Sequence, residues 1–314
     1  MILVTGSNGF VGRAVCARLC ADSMAVRGAV RAAAGAHQVD VGNVGPGTRW
    51  EGALAGVAIV IHCAARVHIM ADTDTDPLRA YREVNVEGSV NLARQAAAAG
   101  VKRLVFVSSI KVNGEATNGS PYHADDVPAP VDPYGQSKLE AEQALRAVGR
   151  ETGLEIVIVR PPLVYGPGVK ANFRNLIKLV GRGLPLPFGS LRNQRSMVAL
   201  DNLVDLLILC TSHPAAAGQV FLVSDGIDLT IGQLITMIAH AHNKRPLLLP
   251  VPAKLMRTVA NVMGKSAVAG RLLDSLQVDI EKTCAGLKWT PIVTPQVAIK
   301  KTVDAFLLQR EIQQ

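Results

Sequence analysis

The chain has 314 residues, of which 49% are hydrophobic but only 4% aromatic, and its formal net charge is +8. This aliphatic content suffices for a large core in one or two domains. No apolar run approaches the ~20 residues of a membrane span, and the first residues resemble a strand rather than a signal region, so we expect a cytoplasmic protein without an integral membrane segment. The 33 basic residues are dispersed, which argues against nucleic-acid binding and favours a phosphorylated small molecule.

The cysteines do not suggest a metal or a disulfide framework. There are five of them, an odd number, and they are scattered along the chain. Only Cys16 and Cys20 are close, and no second pair completes a metal site. We therefore expect no metal, and cysteines that behave as small buried hydrophobes.

The first 20 residues carry a glycine motif between a strand pattern and a helix pattern. The aliphatic run 2–4 leads into Gly6-x-x-Gly9-x-x-Gly12, and apolar residues at helical spacing follow. Glycines in this context permit a tight turn, close approach of a pyrophosphate and close packing of helix on strand. The helix N-terminus offers unpaired N–H groups to the phosphates. The motif predicts a dinucleotide-binding turn.

The residue after the second predicted strand bears on the choice of dinucleotide. This strand, 25–30, is followed by Arg31, where a site specific for NAD would carry an acidic residue for the ribose 2′-hydroxyl. An arginine suits a 2′-phosphate instead. We therefore expect NADP(H), with NAD as the alternative.

Strand and helix patterns alternate through the first half of the chain. Further strands are predicted at 37–41, 57–61, 101–107, 155–159, 196–200 and 219–223, and helices at 50–54, 78–99, 134–152, 172–181 and 202–210. The alternation predicts an α/β fold with a doubly wound parallel sheet. It breaks after Gly168, which predicts a dinucleotide-binding domain of residues 1–165 plus about 197–228 and a smaller substrate-binding lobe of about 166–196 and 229–314.

Two stretches suggest acid/base chemistry. Tyr134 and Lys138 are four residues apart in a predicted helix and share one face. A nearby ammonium favours the phenolate, so we expect Tyr134 to exchange protons near neutral pH, as general acid/base work at a carbinol or carbonyl requires. Ser108 and Ser109 end a predicted strand, where open α/β sheets place chemistry. Asn85 is polar among aliphatics, and a hydrogen bond across its own helix is the ordinary expectation.

Together these residues resemble the extended short-chain dehydrogenase/reductase family, in its branch of nucleotide-sugar epimerases, dehydratases and reductases. The matching motifs are Gly6-x-x-Gly9-x-x-Gly12, His62-x-Ala-Ala65, Asn85-Val-x-Gly88, Val107-Ser-Ser109, Tyr134-Gly-x-Ser-Lys138, Arg160-Pro-x-x-Val-Tyr-Gly-Pro167, the segment 195–201, and Asp279-x-x-Lys282 leading to Leu287-Lys-Trp289. Their order and spacing cover almost the whole chain. The resemblance implies a Rossmann fold, a UDP-sugar substrate and a homodimer.

The resemblance also implies roles for particular residues. Tyr134 matches the acid/base, Lys138 its activator and a ribose ligand, and Ser109 the hydroxyl that hydrogen-bonds the sugar oxygen. The implied cofactor contacts are Gly6, Asn8, Gly9, Phe10, Val11, Gly12, Arg31, Asn43, Val44, Cys63, Ala64, Ala65, Asn85, Ser108, Tyr134, Lys138, Pro161 and Val164. The implied substrate contacts are Arg66, His68, Ser109, Lys111, Tyr134, Asn172, Phe188, Arg195 and Arg271. Asn43 stands where the family usually has an aspartate at the adenine.

Departures from the family pattern narrow the expected reaction. Ile110 and Lys111 stand where dehydratases carry Asp-Glu, so we do not expect a dehydratase. Leu163 replaces an asparagine of many UDP-hexose 4-epimerases, and Arg31 disfavours a permanently held NAD. The segments 65–70 and 109–115 resemble bacterial reductases of UDP-4-keto-6-deoxy-N-acetylhexosamines in surface polysaccharide (O-antigen) synthesis. We therefore expect a 4-ketoreductase, with a UDP-hexose 4-epimerase and a non-catalytic dinucleotide-sensing protein as alternatives.

Overall fold

The structure is a computed structural model, and it describes residues 1–35, 37–67, 76–264, 270 and 272–312. Its strands are β1 (Ile2–Thr5), β2 (Val26–Val30), β3 (Gln38–Asp40), β4 (Ile59–His62), β5 (Arg103–Val107), β6 (Glu155–Arg160), β7 (Leu163–Tyr165), β8 (Met197–Ala199) and β9 (Val220–Leu222). Its helices are α1 (Phe10–Ala21), α2 (Glu51–Leu54), α3 (Pro77–Arg82), α4 (Gly88–Ala98), α5 (Pro133–Thr152), α6 (Ala171–Gly181), α7 (Leu200–Ser212), α8 (Ile231–Ala241), α9 (Ala253–Val262), α10 (Glu281–Leu287) and α11 (Pro295–Ile312).

Among these residues, seven strands form one parallel sheet in the order β3-β2-β1-β4-β5-β6-β9. The chain moves outward from β1 to β3 and then returns to β4 on the other side of β1. The order therefore reverses between β1 and β4, and ligands bind at such a switch point in open α/β sheets. The predicted doubly wound sheet is confirmed.

Helices cover both faces of the sheet. Successive side chains of a strand point to opposite faces, and because the strands are apolar throughout, both faces must be buried. In β1, Val4 packs with Val15 and Leu19 of α1 and with the apolar residues of α7. Its neighbour Leu3 packs in a second cluster with Leu92 of α4 and the apolar residues of α5. The two clusters form the two halves of the core.

A third apolar cluster lies in the C-terminal part of the chain. It joins side chains of α6, α8 and α11, including Phe173, Ile238 and Ile299. Leu287 and Trp289 also fall in the predicted substrate lobe, yet they pack in the sheet core with the residues of α7. The proposed division into domains has this exception at residues 287–289, and its bounds stay a prediction.

The strand predicted at 196–200 does not join the large sheet. It forms β8, which pairs in parallel with β7 in a separate two-stranded sheet. Pro161 and Pro162 stand between β6 and β7, and proline cannot donate to a strand ladder. The chain therefore leaves the large sheet at this point, which the alternation of patterns alone did not show.

The helix predicted at 78–99 is interrupted by a π-helical turn over Glu83–Glu87. Asp76 caps the helix start by accepting a hydrogen bond from the Arg79 backbone N–H at 3.1 Å, and Pro77 occupies the first turn, where its missing N–H costs nothing. A π turn adds one residue and redirects the side chains that follow. Asn85 lies in this turn and is 1% exposed.

In the described part of the chain, no helix has the length and apolarity to cross a membrane, and no group of three or more His, Cys, Asp or Glu residues could hold a metal. All five cysteines are free. Cys210 is buried, but Cys20 is exposed. Cys16, Cys63 and Cys284 are half-buried. The expectation of buried cysteines is therefore met fully only by Cys210 and was wrong for Cys20.

Candidate active site

The glycine turn between β1 and α1 presses against the segment that follows β4. Gly6 has a positive φ of 62°, and a Cβ at Gly6 would lie 3.0 Å from the Ala64 backbone N. A Cβ at Gly12 would lie 2.3 Å from the Gly6 carbonyl oxygen. No side chain caps the N-terminus of α1, so its first N–H groups can bind an anion. This backbone cradle, which any Cβ would fill, fits the pyrophosphate of a dinucleotide.

The predicted adenosine contacts lie at the same edge of the sheet. Arg31 follows β2 and Asn43 follows β3, and both are exposed. Val44 is half-buried against α4, where a Cβ at Gly88 would lie 2.9 Å from the Val44 Cγ1 atom. No described residue forms a hydrogen bond or an ion pair with the side chain of Arg31 or Asn43, so this edge is open to a ligand.

Ser109 and Tyr134 meet as the sequence predicted. Ser109 caps the short 3₁₀ turn Ile110–Val112, and its hydroxyl lies near enough to the phenol of Tyr134 to lower the pKa of that group. Helix α5 approaches this turn closely because residue 135 is glycine: a Cβ there would lie 2.7 Å from the Lys111 carbonyl oxygen. The Asp132 carboxylate caps α5 by accepting a hydrogen bond from the Gly135 N–H at 2.7 Å.

Lys138 lies in the core and not in contact with solvent. Its Nζ atom donates to the Val107 carbonyl oxygen at 2.8 Å and is 3.9 Å from the ring centroid of Phe106. Burial lowers the pKa of Lys138 to about 7, against the opposing charge of Glu142. Because Phe106 and Val107 end β5, the ammonium is held at the edge of the sheet beside Ser109.

The pKa of the Tyr134 phenol is shifted in the opposite direction to the one that the sequence predicted. Burial raises the pKa of Tyr134, the Asp132 carboxylate and Tyr81 raise it further, and only the hydrogen bond from Ser109 opposes them. The reason is geometric, since the Lys138 ammonium donates to a backbone carbonyl rather than to the phenol. In this structure Tyr134 is therefore a neutral proton donor.

A buried ion pair lies beneath these groups. Arg160 donates to both carboxylate oxygens of Glu142, at 2.9 and 2.6 Å, and to the Asn113 Oδ1 atom at 2.9 Å. Ser108 donates to the same carboxylate at 2.5 Å. Ser108 was predicted to contact the cofactor, but its hydroxyl is used within the protein, because it lies 4% exposed against Glu142. The pair fixes Ser108, and therefore Ser109, relative to α5.

Asn85 joins the π turn to two other segments instead of to its own helix. Its Oδ1 atom accepts from the Arg66 N–H at 2.8 Å, and its Nδ2 atom donates to the Arg66 carbonyl at 3.0 Å and to the Ser137 hydroxyl at 3.0 Å. The Arg66 guanidinium stacks 5.6 Å from the ring centroid of Tyr81, which meets Tyr134 edge-on at 5.9 Å. Tyr81 thus stands between Arg66 and Tyr134, and the substrate contact of Arg66 stays a prediction.

His62 completes a buried polar chain from the glycine turn to α4. The Ser89 hydroxyl donates to the Asn85 carbonyl at 2.7 Å, so it accepts from the His62 Nε2–H at 2.9 Å. The Nδ1 atom then accepts from the Thr5 hydroxyl at 2.6 Å, and Thr5 accepts the Ala64 N–H. Burial, followed by the charge of Lys138, lowers the pKa of His62 to about 3. The network thus holds a neutral imidazole in one tautomer.

The other predicted substrate contacts lie in different surroundings. Lys111 pairs with Asp132 and with Glu115, so the predicted substrate contact is replaced by ion pairs that hold α5. Arg195 is half-buried and donates from Nη1 to the Asp274 carbonyl at 2.9 Å; burial lowers its pKa. Asn172 is exposed in the first turn of α6, and Phe188 lines a cleft of the lobe. His68 and Arg271 lie outside the described residues.

Other predicted cofactor contacts lie at the carboxyl ends of strands. Cys63, Ala64 and Ala65 follow β4 directly, and Asn8 is exposed in the glycine turn. The Pro161 carbonyl accepts a hydrogen bond from the Ile110 N–H at 3.0 Å, which connects the end of β6 to the 3₁₀ turn Ile110–Val112. Val164 lies in β7 and packs against the sheet core.

Sequence reasoning missed four supporting residues: Glu142, Asn113, Tyr81 and His62. Glu142 could have been found, because it lies one turn after Lys138 on the buried face of α5. Asn113 and Tyr81 gave no local signal, since their partners are distant in sequence. His62 was noted only as part of a motif.

Taken together, these contacts define a dinucleotide-dependent oxidoreductase of the extended short-chain dehydrogenase/reductase type. The chain belongs to the NAD dependent epimerase/dehydratase family, whose profile matches residues 2–224. The family membership inferred from the motifs is confirmed.

Individual relatives agree with this family. A protein named UDP-glucose 4-epimerase from Vibrio cholerae is 48% identical over 312 residues, 98% of this chain and 95% of the relative. The N-acetyl-alpha-D-glucosaminyl-diphospho-ditrans,octacis-undecaprenol 4-epimerase of Escherichia coli O157:H7 is 27% identical over 90% of this chain and 85% of the relative. The crystal structure of MoeE5 in complex with UDP-glucose and NAD shares the fold, with a TM-score of 0.78, 23% identity and 99% coverage of both chains.

Gly12→Ala should weaken cofactor binding strongly. The added Cβ would lie 2.3 Å from the Gly6 carbonyl oxygen, so the turn must shift. We expect an increase of at least about tenfold in the dissociation constant for NAD(H) or NADP(H), measured by fluorescence titration. Gly52→Ala in α2 is the control, because nothing lies within 4 Å of its Cβ; a similar loss in this variant would contradict the argument.

Glu142→Gln should destabilise the protein by about 3–5 kcal/mol, because it leaves the buried Arg160 guanidinium without its counter-charge. The matched control is Glu140→Gln on the same helix, which breaks an equally short pair with Arg82 at a site open to solvent. Urea denaturation should show a much smaller change for the control. If the two variants lost the same unfolding free energy, burial would not explain the contribution of the Arg160–Glu142 pair.

His62 should contribute to acid sensitivity. Its pKa is about 3 in the folded protein and ordinarily 6.5, so the unfolded chain binds more protons in this interval and stability falls as the pH is lowered through it. We expect the wild type to lose more unfolding free energy between pH 7 and pH 5 than His62→Gln, measured by urea denaturation at each pH. His240→Gln, at an exposed site on α8, should behave like the wild type.

Proposed function

We propose that this protein transfers hydride at C4 of a UDP-linked sugar and that it is a UDP-hexose 4-epimerase. The observation that carries the proposal is the grouping of three side chains: Ser109 lies near enough to Tyr134 to lower the pKa of its phenol, and Lys138 is anchored at the end of the neighbouring strand β5. The relative that is 48% identical along almost the whole chain supports the 4-epimerase. MoeE5, which binds UDP-glucose and NAD, supports the pairing of ligands on this fold.

The chain's own residues would handle the proton at the sugar oxygen. Ser109 is placed to donate a hydrogen bond to the oxygen at C4, and Tyr134 to protonate the alkoxide that develops when the carbonyl is reduced. The neutral phenol suits this step, because it holds the proton until negative charge appears. When bound, NAD(P) would accept and return the hydride. In the reverse step, oxidation of the sugar hydroxyl, Tyr134 must be a phenolate that accepts the hydroxyl proton, and the ammonium of Lys138 would help by stabilising this negative charge.

For the cofactor, Gly6, Gly9 and Gly12 would hold the pyrophosphate, and Lys138 the nicotinamide ribose. We propose that Arg31, exposed at the end of β2, lets the site accept NADP(H) as well as NAD(H). A guanidinium pairs well with a phosphate and poorly replaces a carboxylate at a ribose hydroxyl. The family is named after NAD, and the use of NADP(H) is proposed for this chain because of Arg31.

The substrate would be held between the catalytic turn and the lobe. Arg195 keeps guanidinium nitrogens beyond the one that donates to Asp274, and we propose that these bind the diphosphate. Arg66 stacks next to Tyr81 and would face the sugar. Asn172 and Phe188 would contact the nucleotide or the sugar from the lobe.

A second candidate is the one-way reductase of a UDP-4-keto-6-deoxy-N-acetylhexosamine, for surface polysaccharide synthesis. Two residues favour it: Arg31, which disfavours a resident NAD, and Leu163, which is 45% exposed where many 4-epimerases have an asparagine. Both candidates need the same Ser109, Tyr134 and Lys138. A non-catalytic sensor has no use for all three and is the weakest candidate.

We propose a cytoplasmic homodimer that pairs through α4 and α5, as related enzymes do. Light scattering coupled to gel filtration should give about twice the chain mass of 33.2 kDa. A monomer at micromolar concentration would refute the dimer without affecting the catalytic proposal.

The experiment that separates epimerase from reductase starts with denaturing freshly purified protein and identifying the released nucleotide. We expect retained NAD or NADP and interconversion of UDP-glucose and UDP-galactose without added cofactor. An empty site that prefers NADPH, with activity only on UDP-linked 4-keto sugars, would replace the epimerase by the reductase. Titration of the empty protein with NADPH and NADH tests the role of Arg31.

Tyr134→Phe should lower turnover by at least ~100-fold, because the phenylalanine cannot donate a proton to the sugar oxygen. Dinucleotide binding should be largely retained, since the ring stays in place. Tyr81→Phe is the matched control, as it removes a neighbouring phenol that our mechanism does not use. Turnover near the wild-type value in Tyr134→Phe would eliminate the proposed mechanism.

A further inference from the structure

The basic residues are dispersed along the chain, but the net positive charge is concentrated in two segments of the C-terminal lobe, because these segments lack acidic residues. Residues 166–200 contain six Lys or Arg residues and no Asp or Glu, and residues 229–264 contain four and none. Since the net charge of the whole chain is +8, the rest of the chain contributes little positive charge. A diphosphate in the active site would use only one or two of these groups.

Four of the basic residues follow one side of α6. Lys170, Arg174, Lys178 and Arg182 are spaced four residues apart, from the residue before α6 to the residue after it. Residues at this spacing neighbour each other on a helix surface. Three are exposed and Arg174 is half-buried. None of the four forms an ion pair with another described residue. We call these four residues the basic stripe, which the described part of the chain leaves unneutralised.

Helix α9 has a wider apolar side than the lobe covers. Its residues Ala253, Met256 and Ala260 pack against the lobe core. Leu255, Val259 and Val262 are spaced i, i+4, i+7 beside them and are 55%, 50% and 85% exposed. Lys254 and Arg257 are exposed among the polar residues of the opposite side. Half of the apolar side of α9 therefore faces outward.

The segment before α9 continues this apolar surface. Leu247 and Leu249 are 54% and 45% exposed, while Leu248 between them packs on the lobe core. This segment hydrogen-bonds the chain that follows α6, from the Leu186 N–H to the Leu247 carbonyl at 2.8 Å. That neighbouring chain presents Leu184, which is 53% exposed.

The end of the basic stripe adjoins these leucines. Lys244 donates to the Gly181 carbonyl at 2.5 Å, which brings the residues before Leu247 against the end of α6, next to Arg182. The basic stripe, the exposed leucines and α9 therefore follow one another along one stretch of the lobe. We call this stretch the basic-apolar surface.

We propose that the basic-apolar surface docks the protein on a membrane that contains anionic lipids. Basic side chains are attracted by anionic headgroups, and an amphipathic helix places its apolar side chains in the headgroup and acyl boundary. The ligand must be anionic, because the four residues of the basic stripe, Lys244 and Lys254 are joined by no acidic residue of the two segments. Arg257 of α9 adds no free charge, because it pairs with Asp274. Nucleic acid would match the charge but would leave Leu255, Val259 and Val262 exposed to water.

The membrane would not be crossed, since no described helix is long and apolar enough to do so. The interaction is therefore peripheral and should be reversible. It is independent of the sugar that the active site converts, because the docking residues are distinct from Ser109, Tyr134 and Lys138.

Flotation of the full-length protein with vesicles tests the proposal without any substrate. We expect binding to vesicles of 70% phosphatidylcholine and 30% phosphatidylglycerol, and at least about tenfold less binding to pure phosphatidylcholine. Sodium chloride at about 0.5 M should release part of the bound protein, because it screens the charges. No binding to the anionic vesicles, or equal binding to both kinds, would overturn the proposal.

Two sets of variants separate the apolar from the basic contribution. Leu255→Gln/Val259→Gln/Val262→Gln should lower the partition coefficient on anionic vesicles at least about tenfold, as should Arg174→Gln/Lys178→Gln/Arg182→Gln. The first control is Met24→Gln/Val127→Gln, which removes exposed apolar side chains of the other domain. The second is Arg49→Gln/Arg79→Gln/Lys102→Gln, which removes the same charge from exposed sites there, outside α4 and α5.

Both controls should bind like the wild type. If the α9 variant also binds like the wild type while the charge variant does not, the surface binds anions without inserting into a membrane, and the proposal is wrong. If the controls lose as much binding as the test variants, the attraction belongs to the whole molecule and the proposal is also wrong. Circular dichroism spectra and the melting temperature establish that each variant is folded.

Discussion

The buried pair of Arg160 and Glu142 holds the active site together. Glu142 lies one turn after Lys138 on α5, Arg160 ends β6, and the same carboxylate accepts the hydroxyl of Ser108 beside Ser109. The pair thus connects the helix of the catalytic tyrosine with two neighbouring strand ends. Both charges are almost completely buried, where an unpaired charge costs several kcal/mol. The positions of the catalytic groups are therefore fixed before any ligand binds.

Burial also decides the charges of the catalytic groups. It raises the pKa of Tyr134 and lowers that of Lys138 to about 7, so both groups are biased toward their neutral forms. The Glu142 carboxylate opposes the effect on Lys138. It therefore has two roles, as the partner of Arg160 and as the nearby negative charge that favours an ammonium at Lys138. His62 is neutral for the same reason and adds no charge to the site.

The sequence predicted the elements whose signals are local. Aliphatic runs located the strands of the sheet, and the glycine motif located the turn at the switch point. The Tyr134-x-x-x-Lys138 spacing and the serines after β5 located the side chains that the structure brings together at the end of β5. Each of these signals reflects one short segment and its own geometry, which is why they could be read without a structure.

What could not be predicted depends on contacts between distant segments. Lys111 was expected to meet substrate, but Asp132, 21 residues away, pairs with it. Asn85 was expected to bond within its helix, but the π turn directs it to Arg66 and Ser137. The predicted direction of the pKa shift of Tyr134 was wrong, because the spacing of two residues on a helix does not show where their end groups point. An epimerase and a reductase of this family share the catalytic groups fixed by Glu142 and Arg160, so the difference between them must lie outside this centre. It must lie at the edges that hold the cofactor and the sugar, where Arg31 and Leu163 stand.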